Sequence, residues 1–105
     1  MFDRNGGIKY AQEFVHRVVS KGIDIKYAKL FGSYSKNTQT PDSDIDIALV
    51  ADAFIGVGFI DSSLIVDELY EFDIVQVKTY NSKDYEEGDP LIDEINRTGI
   101  VLDVN

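Results

Sequence analysis

The chain contains no cysteine and no tryptophan, one histidine and two prolines. Without thiols it can build neither a disulfide nor a thiolate metal site. Basic residues are scarce: ten Lys and Arg stand against nineteen Asp and Glu, a net charge of −9. Proteins that grip the phosphate backbone of DNA or RNA present basic stripes, so direct DNA binding is not expected. A single nucleotide stays open, because metal ions and backbone amides can hold it without lysines. No apolar run approaches the roughly 18 residues that would span a membrane. The opening MFDRNGGIKY lacks the apolar stretch of a signal peptide, and the reading is a soluble, cytoplasmic protein. Internal repeats and low-complexity segments are also missing.

What is present is one core's worth of apolar residues, 44% of 105. That length suits a single domain over 1–105. After a flexible DRNGG, the residues Ile8, Ala11, Val15 and Val18 recur at helical spacing, with Phe14 and Val19 beside them. The stretch is read as an amphipathic helix stopped near Gly22. IDIKYAKLF reads as a strand broken by Gly32, SYSKN as a short helix, and TQTPDS as a loop. DIDIALVA is a second strand and ADAFIGVGF a loop. SSLIVDELYE is a helix with Asp61 or Ser62 as N-cap. FDIVQVKTY is a third strand, NSKDYEEGD a polar connection, and PLIDEINRTG a last helix with Pro90 in its first turn. IVLDV adds a short final strand. The order is α-β-α-β-α-β-α-β, which predicts an α/β fold, a small mixed sheet with helices packed against it.

Within this frame LFGSYSKNTQTPDSDIDIALV carries chemistry. Side chains at i and i+2 of a strand point to one face, so Asp44 and Asp46 project together while Ile45, Ile47 and Leu49 point away. Two like charges this close repel. A divalent cation with oxygen ligands removes the conflict, and Mg²⁺ combines one or two carboxylates with phosphates and waters. Asp73, set between Phe72 and Ile74, offers a third carboxylate at a strand start. Three such acids can hold two ions about 3.5–4 Å apart, the arrangement of in-line phosphoryl displacement. Gly32 and Ser33 lie where a strand meets a helix start, where backbone amides attract phosphate. Singly, each feature also fits a solvated strand end or an ordinary turn; their convergence on strand ends favours a site.

Gly32-Ser33, ten residues, then Asp44-Ile45-Asp46 resembles the signature of the DNA polymerase beta-like nucleotidyltransferase superfamily, which includes the kanamycin nucleotidyltransferases. FDIV and the closing IDEINRTGIVLDV are similar to the later elements of its minimal nucleotidyltransferase branch. The resemblance implies that Gly32 and Ser33 bind a triphosphate, with Lys36 at the phosphates. It implies that Asp44 and Asp46 bind Mg²⁺, two ions in all, and that Asp73 is the third acid, binding the metal near the attacking hydroxyl and helping to deprotonate that hydroxyl. Asn37 departs from the family, which usually has glycine there; asparagine tolerates left-handed backbone better than most residues.

The implied reaction moves AMP from ATP to a hydroxyl. A chain this short carries no obvious acceptor domain, and in the family the partner is often a HEPN-domain protein. The resemblance extends to toxin–antitoxin pairs in which the nucleotidyltransferase, as antitoxin, adenylylates a tyrosine of the HEPN ribonuclease. Two alternatives stay open: a small-molecule nucleotidyltransferase with an aminoglycoside-like acceptor, whose pocket would need a homo-oligomer, and a non-catalytic module that blocks its partner by contact. His16 is read as a surface or partly buried residue, and DYEEGD as a solvated loop.

Overall fold

The structure, a computed structural model, describes residues 3–105. Helix α1 (Arg4–Ser20) begins ahead of the apolar periodicity. DRNGG is therefore not a loose lead-in but the cap and first turn of this helix. The Asp3 carboxylate accepts the Gly6 N–H at 2.7 Å, which satisfies one of the donors a helix start leaves over. Gly7 is buried because the Tyr34 ring occupies the space where a side chain would begin.

The chain then runs through β1 (Ile25–Phe31), α2 (Ser33–Lys36) and β2 (Ile45–Ala51). Next come α3 (Gly58–Asp61), a 3-10 turn (Ser62–Ile65) and α4 (Val66–Glu71). The chain closes with β3 (Val75–Tyr80), α5 (Ser82–Glu87), α6 (Pro90–Thr98) and β4 (Ile100–Leu102). The sheet order is β3-β2-β1-β4. β1 is antiparallel to β2 and β4, while β2 and β3 are parallel, so the sheet is mixed, as its sequence predicts.

Strand β2 is central and covered on both faces, which is why it reads as a nearly unbroken apolar run. Ile45, Ile47 and Leu49 pack with Ala11, Phe14, Val15 and Val18 of α1. Ala48 and Val50 pack on the other face with Tyr80, Tyr85, Ile92 and Ile95, from β3, α5 and α6. Phe14 is fully buried; truncating such a side chain costs about 3–5 kcal/mol.

Two further expectations are corrected. NSKDYEEGD is largely helical: Asn81 caps α5 by accepting the Lys83 N–H at 3.0 Å, and Tyr85 anchors it in the core. Neither Asp61 nor Ser62 caps a helix with its side chain. Asp61 is 1% exposed. Its carboxylate accepts the Ile55 N–H at 3.0 Å, the Gly56 N–H at 2.9 Å and the Thr79 hydroxyl at 2.7 Å. It ties the loop after β2 to β3.

Candidate active site

β1 delivers Phe31 opposite Asp46 of β2, so the turn that follows is laid across the start of β2. Gly32 adopts φ 74°, ψ −148°, a backbone region essentially reserved for glycine. A Cβ here would collide with Oδ2 of Asp46. The glycine thus lets the backbone of the turn and the carboxylate approach closely.

Helix α2 is one tight turn. The Ser35 hydroxyl donates to the Gly32 carbonyl at 2.9 Å, and the Lys36 N–H donates to the same oxygen at 3.2 Å. Asn37 ends α2 in the left-handed conformation, φ 58°, ψ 37°. Asparagine therefore does the backbone work expected of the usual glycine. From α1, Arg4 Nε donates to the Tyr34 carbonyl at 3.2 Å and Nη2 to the Ser35 carbonyl at 3.3 Å. These are carbonyls that a short helix leaves without partners of its own.

Asp44 is exposed just before β2, and Asp46 is half-buried one residue inside it. Burial, and then the neighbouring Asp44 charge, push the Asp46 carboxyl above its ordinary range. Neither carboxylate has a hydrogen bond or ion pair among the described residues. An exposed carboxylate beside a half-buried one is a donor set that Mg²⁺ completes with phosphate and water oxygens, so these residues fit the ion that the resemblance implies.

Asp73 lies differently from the expected strand start. The Val75 N–H donates to the Phe72 carbonyl at 3.0 Å, which closes a turn containing Asp73 and delays β3 to Val75. The turn sits at the carboxylate end of the sheet, because the Ile45 N–H donates to the Ile74 carbonyl at 2.9 Å. The charge of Asp73 is felt by Tyr10 of α1. Burial, then Asp73 and Glu71, raise the phenol, whose hydroxyl is hydrogen-bonded to the Ile74 backbone. The residue in register with Asp46 on β3 is Gln76, an exposed amide that sequence reading passed over. Among the described residues no three His, Asp or Glu side chains are gathered closely enough to hold a metal ion. Lys36 forms an ion pair with Glu94 of α6 at 2.9 Å. His16 is exposed on α1, within 3.8 Å of the Asp103 carboxylate.

A glycine turn against paired aspartates, on a mixed sheet with helices on both faces, is the arrangement of one nucleotide-handling family. The family described as polymerase beta nucleotidyltransferase matches the chain over residues 13–103. The chain belongs to this family. Two solved structures share the fold of this nucleotidyltransferase domain. One is a protein from Sulfolobus solfataricus, provisionally assigned as a nucleotidyltransferase: 18% identical, TM-score 0.63, covering 94% of this chain and 81% of that one. The other is a toxin–antitoxin with AMP-PNP: 23% identical, TM-score 0.63, covering 90% of this chain and 73% of that one. A search of curated proteins returns no match.

Proposed function

We propose that this nucleotidyltransferase domain transfers AMP from ATP to a tyrosine hydroxyl of a HEPN-type ribonuclease partner, with Mg²⁺, and so acts as its antitoxin. The observation that supports the reading is the close approach of the Gly32 backbone to the Asp46 carboxylate, which sets the Gly32–Ser33 turn beside the start of β2. The solved toxin–antitoxin with AMP-PNP supports the acceptor class.

In this reading the backbone of Gly32 and Ser33 receives the triphosphate, and Lys36 adds charge there once it leaves Glu94. Asp44 and Asp46 hold Mg²⁺. Bound Mg²⁺ supplies charge neutralisation at the phosphates. Asp73, from the turn before β3, takes the proton of the attacking hydroxyl. The tyrosine oxygen forms a bond to the α-phosphorus, the bond from that phosphorus to the bridging oxygen of the β-phosphate breaks, and pyrophosphate leaves. The chain's contribution is mainly position and charge.

Co-expression with the protein encoded beside it, followed by intact-mass measurement, tests the reading. The partner is expected to gain one or more AMP units, and the gain to vanish with Asp44→Asn or Asp46→Asn. A partner that is inhibited yet unmodified would instead make the chain a contact-only module.

A further inference from the structure

Two divalent ions side by side repel each other about fourfold more strongly than two single charges at the same distance. A two-ion site therefore depends on carboxylates gathered around both ions. The acids within reach of Asp44 and Asp46 decide how many ions this site can hold.

The sheet register sets that number. Asp46 has two lateral neighbours, Phe31 on β1 and Gln76 on β3, and neither is charged. One rung earlier Ile45 stands opposite Val75, and its N–H donates to the Ile74 carbonyl at 2.9 Å. The same register puts Ile74, again neutral, beside Asp44. The Asp46 carboxylate leans towards β1, with Oδ2 against Gly32, and so away from β3. Asp73 stops three residues short of the Asp46 rung, in a turn whose flanking residues, Phe72 and Ile74, pack into the cluster beneath α1. The rings of Phe72 and Tyr10 of α1 are 5.1 Å apart. Helix α1 covers the face of Ile45, Ile47 and Leu49, opposite that of Asp46. Among the described residues no third acid joins the pair.

We infer, resting on the transfer reading above, that the site takes a single divalent ion on Asp44 and Asp46, and that the neutral Gln76 excludes a second. This departs from the two ions that the family resemblance implies, and it leaves the Asp73 carboxylate uncoordinated, with its lone pairs free for a proton. The test counts Mn²⁺, which takes the same oxygen ligands as Mg²⁺, on the full chain. Electron paramagnetic resonance reads the loss of the free-ion signal, with an ATP analogue whose α,β bridge is methylene so that no transfer occurs. Only ions lost in Asp46→Asn are counted, which removes adventitious Mn²⁺ on the acidic surface. The parent is expected to hold one such ion, with the spectrum of an isolated Mn²⁺. Gln76→Glu adds a charge at an exposed position with almost no change of shape. It is expected to hold two, with the broadening of a coupled pair about 3.5–4 Å apart. Gln76→Ala and Asp73→Asn should each still hold one. Two ions in the parent, one in Gln76→Glu or none in Asp73→Asn would overturn the inference while leaving the Asp44–Asp46 site in place. Mn²⁺ binding that is equal in the parent and Asp46→Asn would overturn it together with the transfer reading, because the metal would lie elsewhere.

Discussion

Asp46 on β2 and Gln76 on β3 stand in register across the parallel pair. Register partners project to one face, so the neighbour of the half-buried carboxylate is an amide, and the nearest acid on that chain segment is Asp73 in the preceding turn. If Asp73 serves as the base, Asp73→Asn lowers the AMP-transfer rate by about 10²–10⁴-fold, the usual weight of general base catalysis. ATP affinity stays within a few-fold, and Gln76→Ala changes neither. Single-turnover transfer rates beside calorimetric ATP binding check this. A rate collapse in Gln76→Ala with Asp73→Asn unaffected would move the role to β3.

Asp46 also couples the site to pH. Its carboxyl is raised, first by burial and then by Asp44, from an ordinary value of 3.8. As pH rises the unfolded chain releases this proton before the folded one does. The folded state therefore binds more protons across the window between the ordinary and the raised value, and Asp46's contribution to stability falls as pH rises through it. Asp46→Asn removes the charge, so without metal its thermal midpoint is expected to exceed the parent's at pH 7. The advantage shrinks as the pH is lowered towards 3.8. An advantage independent of pH would mean that the charge is not its source.

Gly32 and Gly58 make a matched pair. Alanine at Gly32 meets both the positive φ and the Asp46 oxygen, and strained backbone alone costs about 1–3 kcal/mol. Gly58 has open space around its missing side chain, and a compatible Gly→Ala change stabilises by about 0.4–1 kcal/mol. Gly32→Ala should lower the denaturant midpoint and abolish Mg²⁺-dependent ATP binding, while Gly58→Ala should keep both. Normal ATP binding in Gly32→Ala would place the phosphates elsewhere.

The Asp61 carboxylate satisfies two backbone N–H groups and one hydroxyl in the interior. Leaving a buried donor without a partner costs about 1–3 kcal/mol. Asp61→Ala is therefore expected to destabilise the fold by roughly 3 kcal/mol or more on that scale, measured by urea unfolding. A loss under about 1 kcal/mol would show that water replaces the carboxylate readily.

Tyr80 is the reverse case. Its hydroxyl is buried without a hydrogen-bond partner among the described residues. Burial, then Asp89 and Tyr85, push its phenol up to about 12. Removing an unsatisfied hydroxyl is neutral or favourable, so Tyr80→Phe should match or exceed the parent in stability by up to about 1 kcal/mol. Ultraviolet titration should lose one tyrosine ionising near 12. A clear destabilisation would reveal a bond made through water.

The local geometry of the candidate site was legible where local rules govern it. The Asp-Ile-Asp spacing brings the Asp44 charge to bear on Asp46, the break after Phe31 marks the Gly32 turn, and asparagine's tolerance of left-handed backbone accounts for Asn37. Legibility failed where long-range pairing decides. The pairing of β2 with β3 crosses two helices and a 3-10 turn, and no local pattern tells that Gln76 rather than Asp73 reaches the Asp46 rung. The two glycines of DRNGG are poor helix formers, yet the Asp3 cap and the Tyr34 ring packed on Gly7 carry the helix through them. Asp61 looks like any N-cap aspartate until the fold closes over it.

Arg4 reaches across thirty residues of chain to the carbonyls of Tyr34 and Ser35, and this sets the order in which the site can assemble. Helix α1 must already lie against the sheet before the turn after Gly32 has all its partners. The turn is too short to hold itself by helical cooperativity. A chain still emerging from synthesis, or one in which α1 has opened, presents its aspartates without the finished turn beside them. The candidate site is thereby complete only in the fully folded molecule, and the amides of residues 33–37 should exchange with solvent on the same timescale as those of α1.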